Sequence, residues 1–341
     1  VRIPEAAVRL RHVLQLAQIL QSHALSFFHL SSPDLLMGMD ADAGDRNIFA
    51  LIKENPELAR QGIELRKFGQ DIIEKLSTKR IHGPWVVPGG VNKPLSDEDR
   101  EEILSQIPDV LDSTQSILDT FKDMLGNFEE EVEVFGNFPT AYLGLVNEQG
   151  GIEHYDGRLR LVDRDGDVLE DGVEADDYQR IIGEQTEPWT YLKFPYYADR
   201  GYPDGIYRVG PLARLNLVDN CGTPIAEEAW QQFREISEGP VQSSFHYHYA
   251  RLVEILFSAE KIRELLKDDV VLSDRIRADA GVNALEGVGI AEAPRGTLIH
   301  HYQVDEDGLI EGINMIIATG HNNLAMNRSV QQVAERYVDG N

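Results

Sequence analysis

Residues 5–30 constrain the fold most. Ala6, Leu10, Val13, Leu14, Ala17, Leu20 and Leu25 recur at three- and four-residue steps, the repeat of one helix face. Val8, Leu16 and Ile19 widen the stripe, and a helix apolar on most sides belongs inside a core. Pro4 stands where a helix start tolerates proline. Ser31-Ser32-Pro33-Asp34 is expected to end the segment, because proline disfavours helix in the residue before it.

The rest of the chain must pack around that helix. Residues 46–78 read as two helices broken near Asn55-Pro56, and residues 79–91, with Pro84, Pro88 and three glycines, read as irregular. Ser96 is a helix cap with Asp97, Glu98 and Asp99 in the first turn, predicting a long amphipathic helix to about Phe128. From Thr140 to Val173 the period changes to short alternating runs, with turns at Gly150-Gly151, Asp156-Gly157 and Asp165-Gly166. Residues 174–240 are mixed, and 243–267 return to a helix. Residues 297–304 and 309–318 predict a hairpin around Asp305-Glu306-Asp307-Gly308, and a last helix is expected over 329–337. The fold class is α+β, mainly helical: a long-helix bundle core with peripheral antiparallel hairpins. One core is expected over 1–341, with an inserted β-hairpin region at 138–175.

Composition narrows the function. The chain carries 58 acidic against 32 basic residues, a formal charge of −26, which repels phosphate backbones and argues against nucleic acid. No run reaches the roughly 18 apolar residues of a membrane span. The start, Val1-Arg2-Ile3-Pro4, lacks Met and a basic-then-apolar leader, and reads as a trimmed end rather than a signal peptide. The single cysteine, Cys221, lies in the turn sequence Asn220-Cys221-Gly222-Thr223-Pro224 and reads as a structural thiol. No glycine-rich loop follows a strand in the dinucleotide-binding manner, so a nicotinamide cofactor would need another subunit.

Four separated segments carry unusual combinations. They are His23 to Asp34, with His29-Leu30 before Pro33-Asp34; His82 with Val87-Pro88-Gly89-Gly90-Val91; Glu292-Ala293-Pro294-Arg295-Gly296 followed by His300; and Ile317-Ala318-Thr319-Gly320-His321-Asn322-Asn323. In order and spacing they resemble the large subunit of nickel–iron hydrogenases, most of all the bidirectional, cytoplasmic, NAD-reducing branch. That resemblance implies reversible H2 oxidation coupled to NAD+ through partners: an iron–sulfur small subunit, flavin and iron–sulfur diaphorase subunits, and maturation factors. It implies a nickel–iron centre with cyanide and carbonyl ligands, and a magnesium or iron at a C-terminal site. The family holds its metals with four cysteines in two CxxC motifs. Neither motif is in this sequence, and the resemblance places them before Val1 and beyond Asn341. The chain as it stands is therefore expected to be a central fragment, inactive and without metal. Other readings are an F420- or heterodisulfide-linked hydrogenase and the related quinone-reducing subunit of respiratory complex I, whose Pro-x-Gly turn commonly carries lysine.

The resemblance also assigns residues. Arg295 matches an arginine held over the metal centre, and Asp34 matches the carboxylate of that canopy. On local sequence alone, Arg295 is a loop arginine in a surface ion pair and Asp34 belongs to a turn. Pro294, Ala318, Thr319, Ile317 and His300 are expected to line the active site. Met315 matches a backbone carbonyl ligand of the magnesium or iron. His29 and His82 read as core histidines. His246 and His248, two apart, cannot share a helix face, so no two-histidine metal site is expected.

Overall fold

The computed structural model describes residues 2–279, 281 and 284–338. Its contacts divide it into two compact units, 1–127 with 251–283, and 128–250 with 284–341. Each has its own core.

The first unit is helical. Its central element is α1 (Glu5–Ala24), whose Ala7, Leu10, Val13, Leu16, Ala17, Ile19 and Leu20 are fully buried. The expected single helix over 5–30 instead passes into a π-helix at Leu25–Ser31. Pro33 does not end helical structure. It opens α2 (Ser32–Met37) at a first-turn position, where the missing N–H costs nothing. The Ser32 hydroxyl donates to the Phe27 carbonyl at 2.8 Å, beside the bond that the Ser32 amide makes to the same oxygen. The break at Asn55 separates α3 (Ile48–Glu54) from α4 (Pro56–Ser77), as the sequence suggests. Gly62 and Gly69 on α4 explain how closely α4 approaches α1 and the π-helix that follows it. A Cβ at Gly62 would sit 2.3 Å from Phe28 Cγ, and one at Gly69 would sit 2.8 Å from the Ala17 carbonyl oxygen.

The segment 79–91 is irregular apart from the two-residue strands β1 (Val86–Val87) and β2 (Gly90–Val91). Arg11 of α1 ties it down by donating to the carbonyls of Val87 and Gly90, both at 2.7 Å. Then α5 (Asp97–Leu125) starts at Ser96, whose hydroxyl accepts from the Asp99 amide at 3.1 Å.

The second unit holds the larger sheets. A short α6 (Glu129–Val134) precedes β3 (Ala141–Val146), β4 (Arg158–Val162) and β5 (Val168–Val173). Next come α7 (Tyr178–Ile181), β6 (Ile182–Thr186), β7 (Lys193–Tyr197) and β8 (Tyr207–Arg208). The alternating runs at 140–173 form the antiparallel strands β3, β4 and β5. β8 pairs in parallel with β3 and completes a four-stranded sheet in the order β5-β4-β3-β8. Every residue of β3 is buried, which is why its sequence shows no polar face.

Helices α8 (Pro211–Leu217), α9 (Pro224–Arg234) and α10 (His246–Leu266) follow, the boundary between the two units falling within α10. A three-stranded antiparallel sheet comprises β9 (Glu286–Ala293), β10 (Gly296–Val304) and β11 (Ile310–Ile316). The hairpin expected around Asp305–Gly308 joins β10 to β11. β9 lies outside the expected elements, and it makes the Pro294-Arg295 turn a second hairpin. The last helix, α11 (Asn323–Tyr337), begins six residues before the expected start at 329. Leu143, Leu145, Leu159, Leu161, Tyr207, Val209, Ile299 and Ile316 share one apolar core in this unit.

Candidate active site

The Pro294-Arg295 turn is set by two glycines. Gly296 has φ +135°, and a Cβ there would fall 2.2 Å from Val209 Cγ2. Gly210 has φ +99°, and its Cβ would fall 2.9 Å from the Arg295 carbonyl oxygen. The turn therefore lies directly on the backbone of Val209 and Gly210, at the entry to α8. Any side chain at either glycine would push it away.

The same short segment receives the other motif. The Val209 amide donates to Asn322 Oδ1 at 2.9 Å, and Asn322 Nδ2 donates to the Val209 carbonyl at 3.3 Å. Tyr247 adds its hydroxyl to that carbonyl at 3.1 Å. So the Pro-Arg-Gly turn and the 317–322 segment, distant in sequence, are braced on one residue.

Behind the turn stands an ion pair. Arg214 Nη1 lies 2.6 Å from Glu292 Oε2, and both side chains have zero exposure. Arg214 also donates to the carbonyls of Ala293, at 3.2 Å, and Pro294, at 3.5 Å. The other carboxylate oxygen of Glu292 accepts from the Leu145 amide at 3.1 Å and the Thr297 hydroxyl at 2.7 Å. Arg295 itself is exposed and Pro294 is half-buried. No sequence motif marks Arg214. It is the only ionisable residue in Pro211–Leu217, where all seven residues are buried, and a charge in such a helix requires a partner.

After β11, Ile317 is half-exposed, Ala318 buried and Thr319 exposed. Thr319 is a turn residue, not part of the strand, and its carbonyl accepts from the Asn322 amide at 3.0 Å. Two positions on, His321 is fully buried, its Nδ1 2.6 Å from the Tyr207 hydroxyl and its Nε2 without a hydrogen-bond partner among the described residues. Burial pushes His321 down to about 3 and Tyr207 well above its usual range, so both are neutral at ordinary pH. His300, half-buried on β10, faces Met315 of β11 in the strand register. Met315 is 45% exposed.

The remaining expected residues belong to the first unit. Asp34, on α2, is partly exposed and lies 3.4 Å from Arg46 Nη1. His29 sits in the π-helix, a backbone form that often marks function. Its Nδ1 is buried without a partner among the described residues, and burial, then the Arg66 charge, lowers its pKa. His82 is no core histidine: it is exposed, in the left-handed backbone region with φ 51°. The histidine buried and paired in this unit is His23, 2.6 Å from Glu254 Oε2.

A family model described as nickel-dependent hydrogenase matches residues 146–334, more than half of the chain. The chain belongs to that family. A vhu subunit of the F420-non-reducing hydrogenase of Methanocaldococcus jannaschii is 42% identical, over 98% of this chain and 80% of its own. The NAD-reducing hydrogenase HoxS subunit beta of Cupriavidus necator is 39% identical, over 100% of this chain and 71% of its own. Among solved structures, an NAD+-reducing [NiFe]-hydrogenase in its H2-reduced state superposes with a TM-score of 0.95 at 42% identity, covering 100% of this chain and 75% of that one. A [NiFeSe]-hydrogenase from Dm. baculatum, at 19% identity and a TM-score of 0.74, shares the fold.

Family membership implies nickel. This hydrogenase chain has one cysteine, Cys221, which is buried with its amide donating to Glu227 Oε2 at 2.7 Å. Among the described residues no three His, Cys, Asp or Glu side chains gather as a metal site. Soft thiolates are what a nickel–iron pair requires, so the donors of this chain do not by themselves fit that centre. No helix of the described residues is long and apolar enough to cross a membrane.

Proposed function

We propose that this chain is the catalytic large subunit of a nickel–iron hydrogenase that oxidises H2 reversibly and passes electrons to NAD+ through partner subunits. The observation that carries this is the likeness to an NAD+-reducing [NiFe]-hydrogenase along the whole chain, with a TM-score of 0.95 at 42% identity. In this reading the partners are flavin-bearing diaphorase subunits together with an iron–sulfur small subunit, and the complex works in the cytoplasm with its nicotinamide substrate. Residues 1–341 form part of one large-subunit core. Nickel, iron with its cyanide and carbonyl ligands, and a magnesium or iron need donors this chain does not supply, so the chain alone does not turn over H2.

Oxidising one H2 releases two protons and two electrons. Arg295 acts through its guanidinium as a cation that stabilises developing negative charge rather than as a free base. Asp34, partly exposed, is the carboxylate suited to take up and release a proton. Pro294, Ala318, Thr319, Ile317 and His300 line the site. Arg295→Lys in the assembled enzyme is expected to lower H2 turnover on the order of 100- to 1000-fold while leaving assembly intact. Undiminished turnover per bound nickel would remove Arg295 from the reaction.

A second reading rests on the Methanocaldococcus relative, an F420-non-reducing hydrogenase at 42% identity. H2-dependent NAD+ reduction by the purified complex separates the two: its absence, with dye reduction retained, favours the second.

A further inference from the structure

Burying two charges is costly, and a well-packed apolar pair in their place often leaves a protein equally stable. Arg214 and Glu292 therefore call for a geometric explanation. Both side chains have zero exposure, and α8 is otherwise uncharged. We propose that the Arg214–Glu292 pair is a positioning device that fixes the backbone of the Pro294-Arg295 turn and so sets where the Arg295 guanidinium stands. This rests on the reading of Arg295 given above.

The bonds account for each side of the turn. Glu292 is held from three directions, by the Leu145 amide at 3.1 Å, the Thr297 hydroxyl at 2.7 Å and Arg214 at 2.6 Å. It thus ties the end of β9 to β3 and to the first residues of β10. Arg214, so anchored, also donates to the carbonyls of Ala293 and Pro294, the two residues before Arg295. On the far side Gly296 is pressed against Val209. The backbone on both sides of Arg295 is thus held in place. The planar guanidinium of Arg214 meets a carboxylate and two carbonyls in fixed directions, a rigidity that a rotating ammonium on a flexible stem lacks. Neither Arg214 nor Glu292 is exposed, so both act through Arg295.

The test uses the assembled hydrogenase with Glu292→Gln, Thr297→Val and Arg295→Lys, and each of the first two combined with the third. Two quantities are read: H2 turnover per bound nickel, and hydrogen exchange of the amides at 293–298. Glu292→Gln is expected to lower turnover on the order of ten- to a hundredfold, the effect of misplacing a reacting group by about 1 Å, and to speed exchange after Pro294. In the Arg295→Lys background the same change is expected to have no further effect, because its route of action is gone. Thr297→Val removes one donor to Glu292 at nearly constant shape. It gives a smaller loss with the same dependence, and carries the test if Glu292→Gln does not fold. Equal losses in both backgrounds, or a lowered melting temperature with unchanged turnover per nickel, would overturn the proposal. Full turnover by Arg295→Lys alone would instead overturn the role of Arg295.

Discussion

A histidine buried neutral is a liability in acid. His321 titrates at about 3 in the folded protein, and His246, buried at the start of α10, at about 4. Unfolded histidine titrates near 6.5. Between those values the unfolded chain binds more protons than the folded one, so stability falls as pH drops from about 6.5 toward about 3. Melting temperature against pH is expected to fall across that window, and more gently for His321→Gln. Parallel curves for the two proteins would show that His321 is not the group responsible. In this segment the sequence motif points to Thr319 and passes over His321. A buried histidine and an exposed threonine look alike in a turn motif until Tyr207 is placed beside one of them. Arg295, by contrast, is singled out only by the family resemblance, since on local sequence it is an ordinary loop arginine.

At the scale of elements, the close approach of α1 and α4 depends on residues that contribute almost no side chain. Gly62→Ala would bring a methyl group to 2.3 Å from Phe28. The ring must then move within a cluster where Phe27 and Phe28 are 4.9 Å apart edge to face, and Phe27 and Phe121 are 5.6 Å apart. The expected cost is about 1–3 kcal/mol, measured by chemical denaturation of the purified protein. A stabilised variant, as the better helix propensity of alanine alone would give, would show that the contact relaxes freely. Helices with strong periodic stripes, α1, α4 and α5, are readable from that pattern. β9 is not, since Glu286–Ala293 contains two alanines and two glycines and becomes a strand by pairing with β10. The π-helix after α1 is equally hidden, because a local change of backbone repeat leaves apolar spacing nearly unchanged.

For the molecule as a whole, the charge of −26 repels other polyanions without selecting an activity. Metal content does select. Purified alone, this chain is expected to carry no nickel. Matured with its partner subunits and any flanking sequence its gene encodes, it is expected to carry stoichiometric nickel and iron. Nickel bound by the isolated chain would contradict the account of its donor set, and a matured complex free of nickel would favour the quinone-reducing reading.

By itself the sequence determined the helical repeat, the capped helix starts, the excess of acid and the motifs whose order points to a hydrogenase. All of these are local or compositional properties, so a linear reading reaches them. Only the tertiary structure decided that Gly296 and Asn322 meet at Val209, that Arg214 stands behind Arg295, and that β8 closes the sheet beside β3. Those contacts join residues far apart in the chain. Their energies depend on burial and on hydrogen-bond geometry, and neither exists until the chain is packed.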